Sequence, residues 1–469
     1  MAYADDGHVH LVPTAGGPPR RLVEGGAPVW VDDRTLVIAV EHEDTSRLAV
    51  VGVDDPWPRR LASDPCGLDD HGDEADAAVA PRGDAVAYVF RPRADLGRTE
   101  IRVADLRGGA VRALTGTAGL QDREPAWSPD GATIAYASEG PGWWALHVVG
   151  RDGSGDRRLT ADGADYAQPR WHPDGGRILA VRGRRNRFDL VVVDAAGGEE
   201  EVVATGGAWR SAHWAAGGAI AGACEDHATP PELRLVTPGG APRTLHAPAP
   251  LPVRRAPHVA PEEVTYRSLD GLEVPAFLFR PPSAAAGRPV AAVVYPHGGP
   301  TAAYVDHWDG MAQYLVARGY AWLAPNFRGS TGYGRAFERR NHGVWGVADT
   351  RDCLAAADFL RTLDWIDGDR LGIVGGSYGA YLAVLAVADD PDHRFRCAVA
   401  MYGDSDIRTS WAQGDRDGRL DLQRMMGHPH VPDRGARLPA RRPAAGLPAP
   451  ARALPGLAPH VVGLVVETH

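Results

Sequence analysis

An anchor residue, usually tryptophan, followed by a turn and a β-rich run recurs through the first half of this 469-residue chain. Trp30, Trp127, Trp171 and Trp214 stand in register, with Val79 in the gap, at steps of 49, 48, 44 and 43 residues. Two copies are close: Pro125-Ala126-Trp127-Ser128-Pro129-Asp130-Gly131 and Pro169-Arg170-Trp171-His172-Pro173-Asp174-Gly175. Proline fixes φ in such a turn and glycine admits a positive φ, so the pair joins two strands sharply. A period in the forties with several short strands per unit is the signature of propeller blades. About six blades fit residues 1–250, with the tryptophans packed between them as core. Ala2-Tyr3-Ala4 aligns with Ala135-Tyr136-Ala137, so the first blade reads as incomplete, its anchor lying upstream of Met1. Either the start codon is placed late or the chain is clipped, and a sheet edge is left open.

The length allows two or three domains with substantial cores. A net charge of −10 argues against a nucleic-acid or anionic-membrane partner. The start has no basic stretch followed by an apolar one, and no apolar run is long enough to cross a membrane. Cys66, Cys224, Cys353 and Cys397 form no C-x-x-C pair and read as small hydrophobes in a reducing compartment. A cytoplasmic protein without metal or cofactor is the expectation. All 50 basic residues are arginine, which with 57 Gly and 39 Pro reads as GC-rich coding bias.

After a Pro/Ala-rich linker at residues 247–260 the pattern changes. Residues 264–279 read as a hairpin around Asp270-Gly271. Apolar strands at 290–295, 320–324, 371–374 and 397–402 then alternate with helical stretches at 308–318, 350–362 and 380–388. Such alternation predicts a parallel sheet covered on both faces. At its centre stands Gly375-Gly376-Ser377-Tyr378-Gly379, between a strand and a helix. That context makes it a nucleophile elbow, which lifts the serine Oγ clear of the sheet and needs glycines where a Cβ would clash. The bland alternative is a Gly-rich turn after a buried strand.

Three motifs in order, His297-Gly298-Gly299-Pro300, Asn326-Phe327-Arg328-Gly329-Ser330-Thr331-Gly332-Tyr333-Gly334 and the elbow, sit behind the propeller pattern. The chain thereby resembles the prolyl oligopeptidase family of serine peptidases, and most its acylaminoacyl-peptidase branch, over residues 1 to about 430. The resemblance implies a propeller capping an α/β-hydrolase domain (251–430), hydrolysis of short peptides and Ser377 as nucleophile. It places the oxyanion hole at the backbone N–H groups of Tyr378 and Gly299, as the general rule for such elbows also does. His297 shapes the oxyanion loop and is not the base. Arg328 contacts either substrate or a neighbouring carboxylate. A carboxylesterase on the same elbow, or an inactive fragment serving as a binding module, are the other readings.

The pattern breaks near the C-terminus. The family's loops bearing the triad Asp and His have no counterpart among the 92 residues after Ser377. From Val431 to His460, Ala, Pro and Arg make up 20 of 30 residues, and no Asp or Glu falls between Arg434 and Val466. Prolines so frequent forbid regular helix or central strand. Residues 431–469 therefore read as a disordered extension or a frameshifted translation, and the hydrolase domain as C-terminally incomplete. Asp404 and Asp406 come one element too early for the triad acid. His428, His430, His460 and His469 are the nearby histidines, and none sits in the family's context. Triad acid and base stay unassigned, and impaired activity is the expectation.

Overall fold

The computed structural model describes residues 1–42, 44–61, 71–140, 142–185, 187–285, 287–403 and 407–428. Residues 2–246 build six antiparallel sheets. The first has three strands (Ala2–Asp5, His8–Leu11 and Arg20–Glu24) and each later one has four. The fifth and sixth touch through a single parallel bridge, Phe188 to Ala208.

The repeat maps onto one position per blade. Trp127, Trp171 and Trp214 each end the first strand of their sheet. Each indole reaches back one blade: Nε1 of Trp127 donates to the Ala78 carbonyl at 2.9 Å, Trp171 to Ala126 at 3.0 Å, and Trp214 to Arg170 at 2.9 Å. The acceptors are themselves equivalent, each lying one residue before the preceding anchor. Trp127 packs among Ala85 and Ile101 of one blade and Ile134 of the next. Trp30 is the exception at 37 % exposure, because the sheet before it has no strand equivalent to the one that carries Val79 or Trp127.

A second repeat was invisible in the sequence. Ala27, Asp76, Glu124, Gln168 and Ser211 all adopt φ between 44° and 57°, each three residues before its anchor. Every one falls within a register shift of its strand, a bulge that bends the blade's inner edge. The bulges are stitched together. Gln168 N–H donates to Glu124 Oε2 at 2.6 Å, and Ser211 N–H to Gln168 Oε1 at 2.8 Å.

The second half folds on one six-stranded sheet, in the order Glu262–Arg267, Glu273–Phe279, Ala321–Pro325, Val290–Val294, Ile366–Gly376, Cys397–Met401. The last four strands run parallel, as the alternation required. The 262–279 hairpin extends this parallel sheet at one edge, joining Ala321–Pro325 antiparallel. Helices Ala348–Arg361 and Tyr378–Ala388 share the large core that covers one face. Gly310–Ala317 serves the other, capped by the Asp309 carboxylate, which accepts from the N–H groups of Met311 and Ala312. Among the described residues no helix is long and apolar enough to cross a membrane.

The two halves meet through charged contacts. Arg416 Nη1 lies 2.6 Å from Asp73 Oδ1, and Arg335 Nε 3.0 Å from Glu139 Oε1. His227 Nδ1 lies 2.7 Å from Asp306 Oδ1, and that bond raises the imidazole's pKa above its ordinary value against the opposing effect of burial. A histidine pKa raised by folding contributes stability below the unfolded value of about 6.5 and loses it as pH rises through the folded one. The melting temperature is therefore expected to fall between pH 6 and 8. His227→Ala should flatten that slope and cost about 1.5–3 kcal/mol at pH 6. Equal slopes in both proteins would refute the assignment.

Candidate active site

The strand Ile366–Gly376 delivers Ser377 at its carboxyl end, and the helix Tyr378–Ala388 starts at the next residue. Ser377 has φ 52° and ψ −123°, a conformation non-glycine residues rarely hold and one that marks a functional turn. It is exposed, and its N–H donates to Met401 O at 3.1 Å, tying the turn to the neighbouring strand. The flanking glycines are required by space. A Cβ on Gly375 would stand 2.2 Å from Gly379 O, and one on Gly379 would stand 2.0 Å from Pro296 O. The same close approach draws the 297–300 loop onto the elbow. A Cβ on Gly298 would lie 3.4 Å from Ser377 Cβ and 4.0 Å from its Oγ. Gly299 follows with φ 129°, and Gly299–Pro300 is a cis peptide.

His297 is locked behind this loop. Its ring stacks on Phe327 at 4.4 Å, Nε2 meets Ser330 Oγ at 2.8 Å, and Nδ1 meets Gly298 O at 2.7 Å. Burial pushes its pKa down to about 4, so the imidazole is neutral. Both ring nitrogens are engaged away from Ser377, which suits a loop-shaping residue and not a general base.

Arg328 takes the second of its two expected roles. Nε and Nη2 grip both Asp352 oxygens at 2.9 and 2.7 Å, while Nη1 and Nη2 hold Asp270 at 2.7 and 2.9 Å. Burial opposes its charge, and the hydrogen bonds of Asp352 and Asp270 more than offset that. The guanidinium pins the 325–334 loop to the helix Ala348–Arg361, leaving it no free face for substrate.

Sequence reasoning missed the carboxylates behind the elbow. Asp349 is fully buried, accepts the Tyr378 hydroxyl, and is driven by burial up to about 6. Asp349 and Asp352, three apart on one helix, share a face with Cys353 and Ala356, where buried acids break the apolar pattern; that break was the available signal. Tyr402 was also missed. Its hydroxyl lies 2.8 Å from where a Gly376 Cβ would be, so it stands at the elbow although the residue is 63 % exposed.

Among the described residues Ser377 Oγ has no side-chain hydrogen-bond partner. His428 packs its ring on Trp411 at 5.3 Å. Asp404, Asp406, His430, His460 and His469 lie outside the described residues. Loop residues Thr301, Ala303 and Thr331 face Arg123, Trp144 and Trp209 of the propeller across a cavity of about 750 Å³.

A strained serine between a parallel strand and a helix, under a glycine loop and beside a propeller, defines the elbow of an α/β-hydrolase fold. Residues 306–449 match the prolyl oligopeptidase family and residues 69–244 the TolB β-propeller domain. Over the first of these stretches the chain is similar to the prolyl oligopeptidase family. It is 24 % identical to dipeptidyl-peptidase 5 of Porphyromonas gingivalis over 358 residues, covering 72 % of this chain and 51 % of that protein. It is 26 % identical to the acylamino-acid-releasing enzyme of Sus scrofa over 280 residues, covering 56 % and 35 %. Its structure is similar to that of puromycin hydrolase, with a TM-score of 0.78 at 25 % identity, over 90 % of this chain and 70 % of that one. The chain thus spans about half the length, or less, of these curated relatives.

Proposed function

We propose that this chain is a serine-type hydrolase of short peptides, of the acylaminoacyl or oligopeptidase kind, that works through an acyl-enzyme at Ser377. The observation that carries this is the exposed, strained Ser377 with Gly298 against its side chain. Ser377 Oγ attacks the scissile carbonyl, and the N–H groups of Tyr378 and Gly299 hold the developing oxyanion. Short peptides suit the 750 Å³ space beneath the propeller. The proposal divides the chain into a propeller at 1–250 and a catalytic unit at 251–430. Unpaired, buried Cys224 and Cys353 favour a reducing, cytoplasmic setting.

The step that suffers is deprotonation of Ser377, for which the described residues offer no base. Turnover is expected to lie roughly 10⁴–10⁶-fold below that of a complete triad. A fluorophosphonate should label Ser377 slowly and stoichiometrically, with no labelling in Ser377→Ala. N-acyl-aminoacyl anilides should be cleaved in preference to simple aryl esters, the reverse order marking a carboxylesterase. Absence of labelling at Ser377 would sink the hydrolase reading. Ordinary peptidase rates lost in Ser377→Ala would overturn the impairment and place a base outside the described residues.

A further inference from the structure

The amino-terminal ends of the four parallel strands open onto a second cavity of about 750 Å³. Leu371, on its wall, lies six residues before Ser377 on the same strand, so the two sites are roughly 20 Å apart. The floor is apolar, formed by Ala291, Val293 and Tyr320, which share a face of the sheet with Gly372 and Cys397; a Cβ on Gly372 would stand 2.8 Å from Cys397 Sγ. Arg288, Arg318, Arg370 and Arg396 line it, and among the described residues no acidic side chain does. Such a concentration of one sign stands out in a chain of net charge −10.

These arginines are incompletely neutralised. Arg370 Nε lies 2.6 Å from Asp367 Oδ2. Arg396 donates to Asp369 O at 3.0 Å, and the Asp369 carboxylate, 3.6 Å away, is largely exposed. Arg288 and Arg318 have no carboxylate partner among the described residues, and Arg318 lies over the Tyr314 ring at 4.9 Å. Guanidinium groups hold phosphate and carboxylate oxygens through paired, charge-assisted hydrogen bonds. A volume of this size suits a small organic ligand. The chain's own C-terminal stretch is the wrong occupant: from Arg434 to Val466 its sequence holds five arginines and no acid, the same sign as the rim.

We propose that this cavity binds a small organic oxyanion, its phosphate or carboxylate held by the four arginines and its apolar body lying on the Ala291–Val293–Tyr320 floor. The site is separate from the peptidase reading and stands or falls without it. The test titrates the full chain calorimetrically with 1-naphthyl phosphate, 1-naphthoate and inorganic phosphate. 1-Naphthyl phosphate should saturate below about 1 mM and bind at least tenfold tighter than inorganic phosphate. The naphthoate arm reports which headgroup is preferred, and binding of either naphthyl ligand supports the site. Arg318→Glu with Arg396→Glu should weaken binding at least tenfold. The milder Arg318→Gln should weaken it severalfold if the double variant does not fold. Arg243→Glu, on the propeller surface, should leave it unchanged. A bound ligand should also slow N-ethylmaleimide modification of Cys397, the exposed thiol at the cavity wall, mapped by mass. No saturation by either naphthyl ligand overturns the proposal. So does inorganic phosphate binding as tightly as they do, affinity unchanged in both the Glu and Gln variants, or an unprotected Cys397.

Discussion

Replacing Arg328 with Met is expected to destabilise the catalytic domain by about 3–5 kcal/mol, read from denaturant unfolding. The guanidinium is 5 % exposed and Asp352 is 0 % exposed, so the substitution strands a carboxylate in the core. It also removes the donors that hold Asp270 and Ser268. Asp352 keeps only the Arg328 N–H at 2.9 Å and the Ser268 hydroxyl at 2.5 Å. Arg328→Met combined with Asp352→Leu should recover much of the loss, because a buried pair replaced by apolar groups is often neutral. A single-variant cost under about 1 kcal/mol would show that the pair is better solvated than its burial implies.

Gly379→Ala is expected to be as severe, above about 4 kcal/mol, and for a steric reason. The new methyl would have to displace the Pro296 carbonyl, which would stand 2.0 Å away. That carbonyl leads into the 297–300 loop, so the propeller should persist while the second half unfolds or loses the elbow. Gly298→Ala is the informative contrast. Its methyl would meet Gly376 O at 3.3 Å and Ser377 Cβ at 3.4 Å, which small shifts relieve. That variant should fold within about 1 kcal/mol of the parent yet acylate more slowly, because the methyl occupies the approach to the nucleophile. Limited proteolysis and probe labelling separate the two outcomes; equal behaviour of both variants would contradict the packing described for the elbow.

The elbow and the blades were legible because each rests on residues with a single strong reason to be there. Gly375 and Gly379 answer to contacts that no side chain survives. Pro129-Gly131 and Pro173-Gly175 set the turns, with Gly131 at φ 72° and Gly175 at φ 76°. The bulges were not legible. A left-handed residue ordinarily announces itself as glycine or asparagine, whereas here Ala27, Glu124, Gln168 and Ser211 take that conformation. Sheet closure imposes it, and side chains such as Gln168 are then spent on the next blade's backbone. The antiparallel hairpin at the sheet edge shows another limit: alternation of Val264 to Phe279 gives two strands but not their neighbour. At the site, Ser377 could be read locally, while the Arg328–Asp352 fork joins residues 24 apart and depends on how a loop lands on a helix.

The backward reach of the indoles gives the propeller a direction. Trp214 clasps the blade before it, Trp171 the one before that, and Trp127 the blade of Val79, so each of these three blades is fastened by its successor. Local opening of one blade therefore releases the hold on the blade before it, while the blade after it stays clasped by its own successor. Disorder should spread toward the N-terminus in single-blade steps. The sequence of clasps stops at the Val79 blade, since valine has no side-chain N–H to reach back with and the Trp30 indole makes no such bond among the described residues. The two seams on either side of the Trp30 blade are therefore where the ring yields first.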